Sequence, residues 1–126
     1  MEKKRILVVD DDPLICKMIK RCIRIFIKYP ILKVKWAFSV RQAIKTIDNS
    51  HKKYSLVITD WDCSQENDGF KVVSCALGNG IHCIVYTGDS LSAKCFLKNY
   101  GIEIPIIDKV ADITKLMEVI NGIIIR

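Results

Sequence analysis

Arg5-Ile6-Leu7-Val8-Val9-Asp10-Asp11-Asp12 is an apolar run that ends in three carboxylates. A continuous apolar stretch of this length reads as a strand buried on both faces, as in a parallel sheet. Three later stretches share its form. Leu56-Val57-Ile58-Thr59 runs into Asp60, Ile81 to Tyr86 runs into Thr87, and Ile104 to Ile107 stops just before Lys109. In a parallel sheet all carboxyl ends lie along one rim. Acids from two strands, a hydroxyl and an ammonium are therefore expected in one crevice. That set suits a hard divalent cation and a phosphoryl group.

The segments between these runs change period. Strand 1 is expected over about residues 5 to 10, and helix 1 from Pro13, whose missing N–H is no loss at a helix start. Ile15, Met18, Ile19, Cys22 and Phe26 recur at helical spacing as one face, and Tyr29-Pro30 closes the helix. Strand 2 covers Leu32 to Ala37. Ser39 and Gln42 form a capping box for helix 2, which turns Ala43, Ile44 and Ile47 inward and stops at Asp48-Asn49-Ser50. Strand 3, Leu56 to Thr59, leads through a polar loop, Asp60 to Asp68, into helix 3 from Gly69 to Leu77. Gly78-Asn79-Gly80 is a turn. Strand 4 is Ile81 to Tyr86, Asp89 or Ser90 caps helix 4, and that helix ends near Asn99. Strand 5 is Ile104 to Ile107, and helix 5 carries the stripe Ile113, Leu116, Met117, Ile120 and Ile124.

Five such units, with no repeat and no linker, predict one α/β domain over residues 1–126 with a five-stranded parallel sheet covered on both faces. Right-handed crossovers leave few strand orders. The doubly wound order 2-1-3-4-5 sets the reversal of winding between strands 1 and 3. Asp10, Asp11 and Asp60 then flank the switch point, where open sheets of this kind bind ligands.

With 126 residues, half of them hydrophobic, the chain is long enough for a core and too apolar for disorder. The N-terminus lacks the apolar core and cleavage site of a signal peptide, and no run nears the ~20 apolar residues of a membrane span. A soluble cytoplasmic protein is expected. The six cysteines have irregular spacing with no C-x-x-C, and His51 and His82 stand alone. Cys16, Cys22, Cys75, Cys83 and Cys95 read as reduced core residues, and Cys63, in the loop after Asp60, as the accessible exception. The net charge of +6 leaves nucleic acid, an acidic membrane surface or an acidic protein as partner types.

Val8-Val9-Asp10-Asp11, Thr59-Asp60, Tyr86-Thr87-Gly88 and Lys109, each closing its own strand, resemble the receiver domain of bacterial response regulators. The resemblance spans the chain and implies the flavodoxin-like (βα)5 receiver fold. It implies Mg²⁺ held by Asp10, Asp11 and Asp60, with a backbone carbonyl near Asp62 adding a contact. Asp60 is the implied nucleophile, forming an acyl phosphate. Lys109 supplies a point charge for the phosphoryl oxygens, and Thr87 a hydroxyl. The implied partners are a histidine kinase or histidine phosphotransfer protein and a downstream protein target. Asp62, two positions after the nucleophile, is expected to tune the lifetime of the acyl phosphate by positioning or repelling water.

Three positions depart from the family. Its aromatic before the lysine is Ile106, which cannot make the same inward switch. Its Lys-Pro pair is Lys109-Val110, so either a costly cis bond persists or the turn differs. In the loop after Asp60, Cys63-Ser64 replaces Met-Pro and Gly69 comes one residue late.

Lys17, Lys20, Arg21, Arg24 and Lys28 form a basic stripe within about 100° of helix 1, opposite its apolar face. It reads as a solvated face or as the surface on which a phosphohistidine partner docks. Nucleic acid is a weaker partner, since no helix-turn-helix or aromatic interleaving is present. Val119, Ile123 and Ile125 are a candidate homodimer face. Two other readings remain open. One is a pseudo-receiver that keeps the fold as an interaction module independent of phosphorylation. The other is a phosphatase of the haloacid-dehalogenase type, with Asp60-Trp61-Asp62 as its D-x-D and Asp112 as its later acid; it is disfavoured by strand placement and by the absence of a cap.

Overall fold

The computed structural model describes residues 2–49, 53–111 and 113–126. Ser50 of the helix 2 stop, the solitary His51, and Asp112 lie outside the described residues. The elements are β1 (Lys4–Val9), α1 (Pro13–Phe26), β2 (Leu32–Ala37), α2 (Val40–Asn49), β3 (Leu56–Thr59), α3 (Gly69–Gly78), β4 (His82–Thr87), α4 (Ser90–Asn99), β5 (Ile106–Asp108) and α5 (Ile113–Ile124). All four strand pairings are parallel, in the predicted order β2-β1-β3-β4-β5. The fold is the doubly wound, flavodoxin-like receiver architecture.

Two cores follow from the alternation of side chains along each strand. Ile6, Val8, Ile58 and Ile84 face α1 and α5, where Ile19, Ile23, Leu116 and Ile120 meet them. Leu7, Val9, Val57 and Val85 face α2, α3 and α4, packing with Ala43, Val72, Ala76 and Leu97. The register sets Val9 beside both Ala37 and Thr59, Thr59 beside Val85, and Thr87 beside Asp108. The rim therefore collects the residues that close β1, β3, β4 and β5.

The N-terminal caps of α2 and α4 match the sequence signals, and Asp12 also caps α1. Asp12 accepts from the Leu14 N–H at 3.0 Å, and Ser39 Oγ accepts from the Gln42 N–H at 3.0 Å. Gln42 reaches back to accept from the Phe38 N–H at 2.8 Å. Asp89 rather than Ser90 caps α4. The buried face of α1 is rotated from the expected one: Cys16, Ile19 and Ile23 are buried, whereas Met18 and Phe26 are exposed and Ile15 and Cys22 half-buried. Apolar residues surround most of this helix, so spacing alone left its phase undetermined. The helix also ends at Phe26, before Tyr29-Pro30.

β5 starts two residues later than expected, at Ile106. Pro105 has no N–H to give a ladder, although its carbonyl accepts from the Val85 N–H at 3.0 Å. Two cysteine assignments are overturned. Cys63 is buried at 2% exposure, and Cys95 lies on the exposed side of α4; Cys22 and Cys75 are only half-buried. All six are unpaired. Val119 and Ile123 are half-buried against the α1/α5 core, and Ile125 is exposed. Among the described residues no helix is long and apolar enough to cross a membrane.

The rotated α1 face gives a direct test by equilibrium urea unfolding. Ile23→Ala should lower the unfolding free energy by about 2–5 kcal/mol. Phe26→Ala should stay within about 0.5 kcal/mol of the parent, as surface changes do.

Candidate functional site

Each acid is fixed by the strand before it. The Asp10 N–H donates to Ala37 O at 3.1 Å and the Asp60 N–H to Val9 O at 2.9 Å, so both continue the sheet ladder onto the rim. Asp10 is buried; its Oδ1 accepts from the Asp12 N–H at 2.9 Å. Asp60 is buried as well, and its Oδ1 accepts from the Trp61 N–H at 2.7 Å. Lys109 Nζ bridges the two, 2.8 Å from Asp10 Oδ2 and 3.2 Å from Asp60 Oδ2. Asp11 is exposed beside them, and one carboxylate oxygen each of Asp10, Asp11 and Asp60 lies within 4.8 Å of the others. Asp12 stands apart as the cap of α1.

Thr87 is buried at the end of β4; its hydroxyl accepts from the Asp89 N–H at 3.2 Å. The Lys109 N–H donates to Thr87 O at 2.9 Å, tying the lysine's backbone to the same strand end. The Lys109–Val110 peptide bond is not cis, so the turn after Lys109 differs from a cis Lys-Pro turn. Asp108 shapes it instead. Its Oδ1 accepts from the Val110 N–H at 2.8 Å, and Oδ2 accepts from the Ser90 hydroxyl, also at 2.8 Å, at the start of α4. These bonds hold the Asp108 carboxyl below the usual carboxylate range, the one from Val110 most strongly. Lys109 thus reaches both buried acids without proline.

Electrostatics reflect the crowding. Burial pushes the Asp60 carboxyl up, Lys109 opposes this, and the Asp10 charge adds to it. For Lys109, burial pulls downward, but its bonds and charge contacts with Asp10 and Asp60 win and the net shift is upward. Burial among the same acids lifts the Cys63 thiol to about 12, which makes it a packed, inert group.

The loop after Asp60 is a closed structure whose parts the sequence reading missed. The Asp68 carboxylate accepts from the N–H groups of Cys63 (2.7 Å), Ser64 (3.1 Å) and Gln65 (3.1 Å). The Asp62 carboxylate is outside the three-acid group and accepts from the Asn67 N–H at 2.7 Å. Asn67 takes the left-handed conformation, φ 58°, which absorbs the extra residue. Its side chain accepts from Trp61 Nε1 at 2.6 Å. Gly69 then closes the loop, donating to Trp61 O at 2.7 Å. A Cβ on Gly69 would overlap the Asp60 carbonyl oxygen and stand 2.7 Å from Trp61 O. An Asp immediately before a Gly, ahead of a helix, was the available signal for this loop.

No family model matches the chain, and no curated protein matches it in sequence. Solved structures do. A CheY-like response regulator receiver domain protein from Methanospirillum hungatei is 25% identical, with 96% of this chain and 93% of that one covered at a TM-score of 0.76. The chain has the fold of a response regulator receiver domain. The non-phosphorylated HemR receiver domain from Leptospira biflexa is 18% identical over 96% of this chain and 94% of that one, TM-score 0.76. The receiver domain of Francisella response regulator 1452 gives 21%, 96%, 96% and 0.73.

Within this fold, Ile106 is half-buried against the α2–α4 core. The aromatic residues are elsewhere: fully buried Trp61 packs on Phe96 (5.3 Å) and Phe70 (6.4 Å), and both of these pack on Tyr100 (5.2 and 4.8 Å). A continuous ring cluster runs from the residue beside Asp60 to the exposed end of α4.

Two outcomes follow. Gly69→Ala should shift the Asp60–Trp61 backbone, seen as a changed Trp61 emission maximum and a lowered urea midpoint; an unchanged spectrum would contradict the close approach. For Asp60 the sign is set by its raised carboxyl: protonation favours the folded state. Its destabilising effect is absent below the ordinary carboxylate range and grows as pH rises through the higher folded value. In metal-free buffer the stability gain of Asp60→Asn should therefore widen across that window and then level off.

Proposed function

We propose that this chain is a phosphoaccepting receiver, a single unit over residues 1–126, that takes a phosphoryl group from a phosphohistidine onto Asp60. The observation that carries this reading is Lys109 bridging two buried acids from different strands, with a third acid within 4.8 Å. Three hard oxygen donors at this spacing suit Mg²⁺, which needs oxygen ligands and retains water. Asp10, Asp11 and Asp60 would hold it, Asp62 only through its backbone carbonyl; when bound it offsets the negative charge of an incoming phosphoryl group.

An oxygen of the Asp60 carboxylate attacks phosphorus as the donor's P–N bond breaks, and the imidazole leaves as it gains a proton. Asp60 then carries a mixed carboxylic–phosphoric anhydride. Lys109 neutralises negative charge on the transferring oxygens. The Thr87 hydroxyl, whose hydrogen is given to no acceptor among the described residues, donates to one of them. Phosphorylation changes the charge beside the Trp61 N–H, and the ring cluster offers a route to α4 in place of the aromatic absent at position 106. The four cations of α1, with Lys28 just past its end, favour encounter with an acidic kinase or phosphotransfer domain. Six unpaired cysteines are consistent with action in the cytoplasm.

Acetyl phosphate with Mg²⁺ should add one phosphoryl group, read by intact mass, and Asp60→Asn should abolish it. Uptake surviving in that variant would remove Asp60 as nucleophile. Absence of uptake in the parent, with beryllofluoride also failing to bind, would favour the pseudo-receiver. Lys109→Ala should slow labelling by roughly 10²-fold or more, as loss of a transition-state charge contact does. Because the Asp62 side chain is bonded to Asn67, Asp62→Asn should lose its phosphoryl group at the parental rate, followed by mass over time.

A further inference from the structure

The basic stripe of α1 belongs to a larger feature. From Pro13 to Ile47 the sequence contains no aspartate or glutamate, and it carries nine cations: five on α1 and its end, Lys33 and Lys35 on β2, Arg41 and Lys45 on α2. All are exposed except Lys20, whose ammonium sits 5.3 Å from the centre of the Trp36 ring. None of these nine forms an ion pair with another described residue. Like charge left uncompensated in this way strains the folded state by self-repulsion. Lysines on an edge strand commonly block sheet-to-sheet aggregation. That accounts for Lys33 and Lys35, but not for the absence of acids over the whole stretch from Pro13 to Ile47, which ends at Asp48 in the last turn of α2.

β2 is the outer strand and pairs only with β1, so its far side presents unpaired backbone groups. Leu32, Val34 and Trp36 pack toward α1, and Lys33 and Lys35 alternate to the other face. Between α1 and β2 lies a cavity of about 370 Å³ with Ile23, Ile27 and Val34 in its wall and Lys20, Arg24 and Lys33 around it. An open strand edge is thus bordered by an apolar cleft and by cations on both faces.

We propose that β2 is a docking edge for an extended, acidic segment of a partner protein. The segment adds as a further strand, sets apolar side chains in the cleft beside Ile23 and Val34, and points carboxylates at Lys20, Arg24, Lys33 and Lys35. Main-chain bonds to a free edge give affinity and alternate side chains give selectivity. Nucleic acid fits less well, because Tyr29 is the one aromatic residue lining the cleft and Lys20 already covers Trp36. An anionic lipid surface fits less well, because the contact surface is a cleft and a strand edge rather than one projecting apolar face. The proposal is independent of phosphoacceptance at Asp60.

The test uses the full chain and a fluorescent peptide of alternating aspartate and valine, read by anisotropy. Its backbone N-methylated analogue, an oligothymidylate and phosphatidylglycerol vesicles run in parallel. The peptide should bind most tightly, and N-methylation should weaken it about tenfold or more by removing strand bonds. Lys33→Glu with Lys35→Glu should weaken it comparably, Lys33→Gln with Lys35→Gln less, and Lys98→Glu on α4 not at all. Cooperative thermal unfolding of each variant confirms folding. Absence of peptide binding, insensitivity to N-methylation or to the β2 changes, or tighter binding of the oligonucleotide or vesicles would overturn the proposal.

Discussion

Two carboxylates buried at neighbouring strand ends constrain everything around them. Asp10 and Asp60 are held on the rim by ladder hydrogen bonds from their own backbones, so they cannot separate to relieve their repulsion. Lys109 answers with one ammonium shared between them. A charge pair in such a place contributes little net stability unless the other lone pairs are also satisfied. They are: the Asp12 and Trp61 N–H groups each take one of the remaining oxygens. The result is a ready-made site, compact and polarised, with Asp11 open to solvent beside it.

Around this centre the chain replaces familiar parts with polar ones that do equivalent geometric work. Asp108 supplies through hydrogen bonds to Val110 and Ser90 the turn that proline would otherwise impose. Asp68 gathers three N–H groups of the loop after Asp60, and left-handed Asn67 takes up its additional residue. Gly69 is then the one residue that can lie against the Asp60–Trp61 backbone. Ring packing from Trp61 to Tyr100 gives the α3–α4 side a rigid contact path that starts one residue from Asp60.

Much of this was legible beforehand. The apolar runs before Asp10, Asp60 and Thr87 gave the parallel sheet, and βα alternation with right-handed crossovers gave its order. Caps at Ser39 and Asp89 were readable because they depend on neighbours a few positions away. The phase of α1 was not, because a helix apolar on most sides does not say which stripe meets the sheet. Cys63 and Cys95 were misjudged for a related reason: exposure in a loop or helix depends on what folds over it.

Local pattern by itself determined the strands, their winding and the four strand ends that carry chemistry, since periodicity and the handedness of crossovers act over short stretches. Only the tertiary structure decided that Lys109 bridges two acids, that Asp62 turns to Asn67, and that Lys20, Arg24 and Lys33 border one cleft between α1 and β2. The Lys109 bridge joins groups 99 and 49 residues apart in the chain, and even the Asp62–Asn67 bond depends on how the loop closes. Distance in space, not in sequence, sets the energy of charge and hydrogen bond.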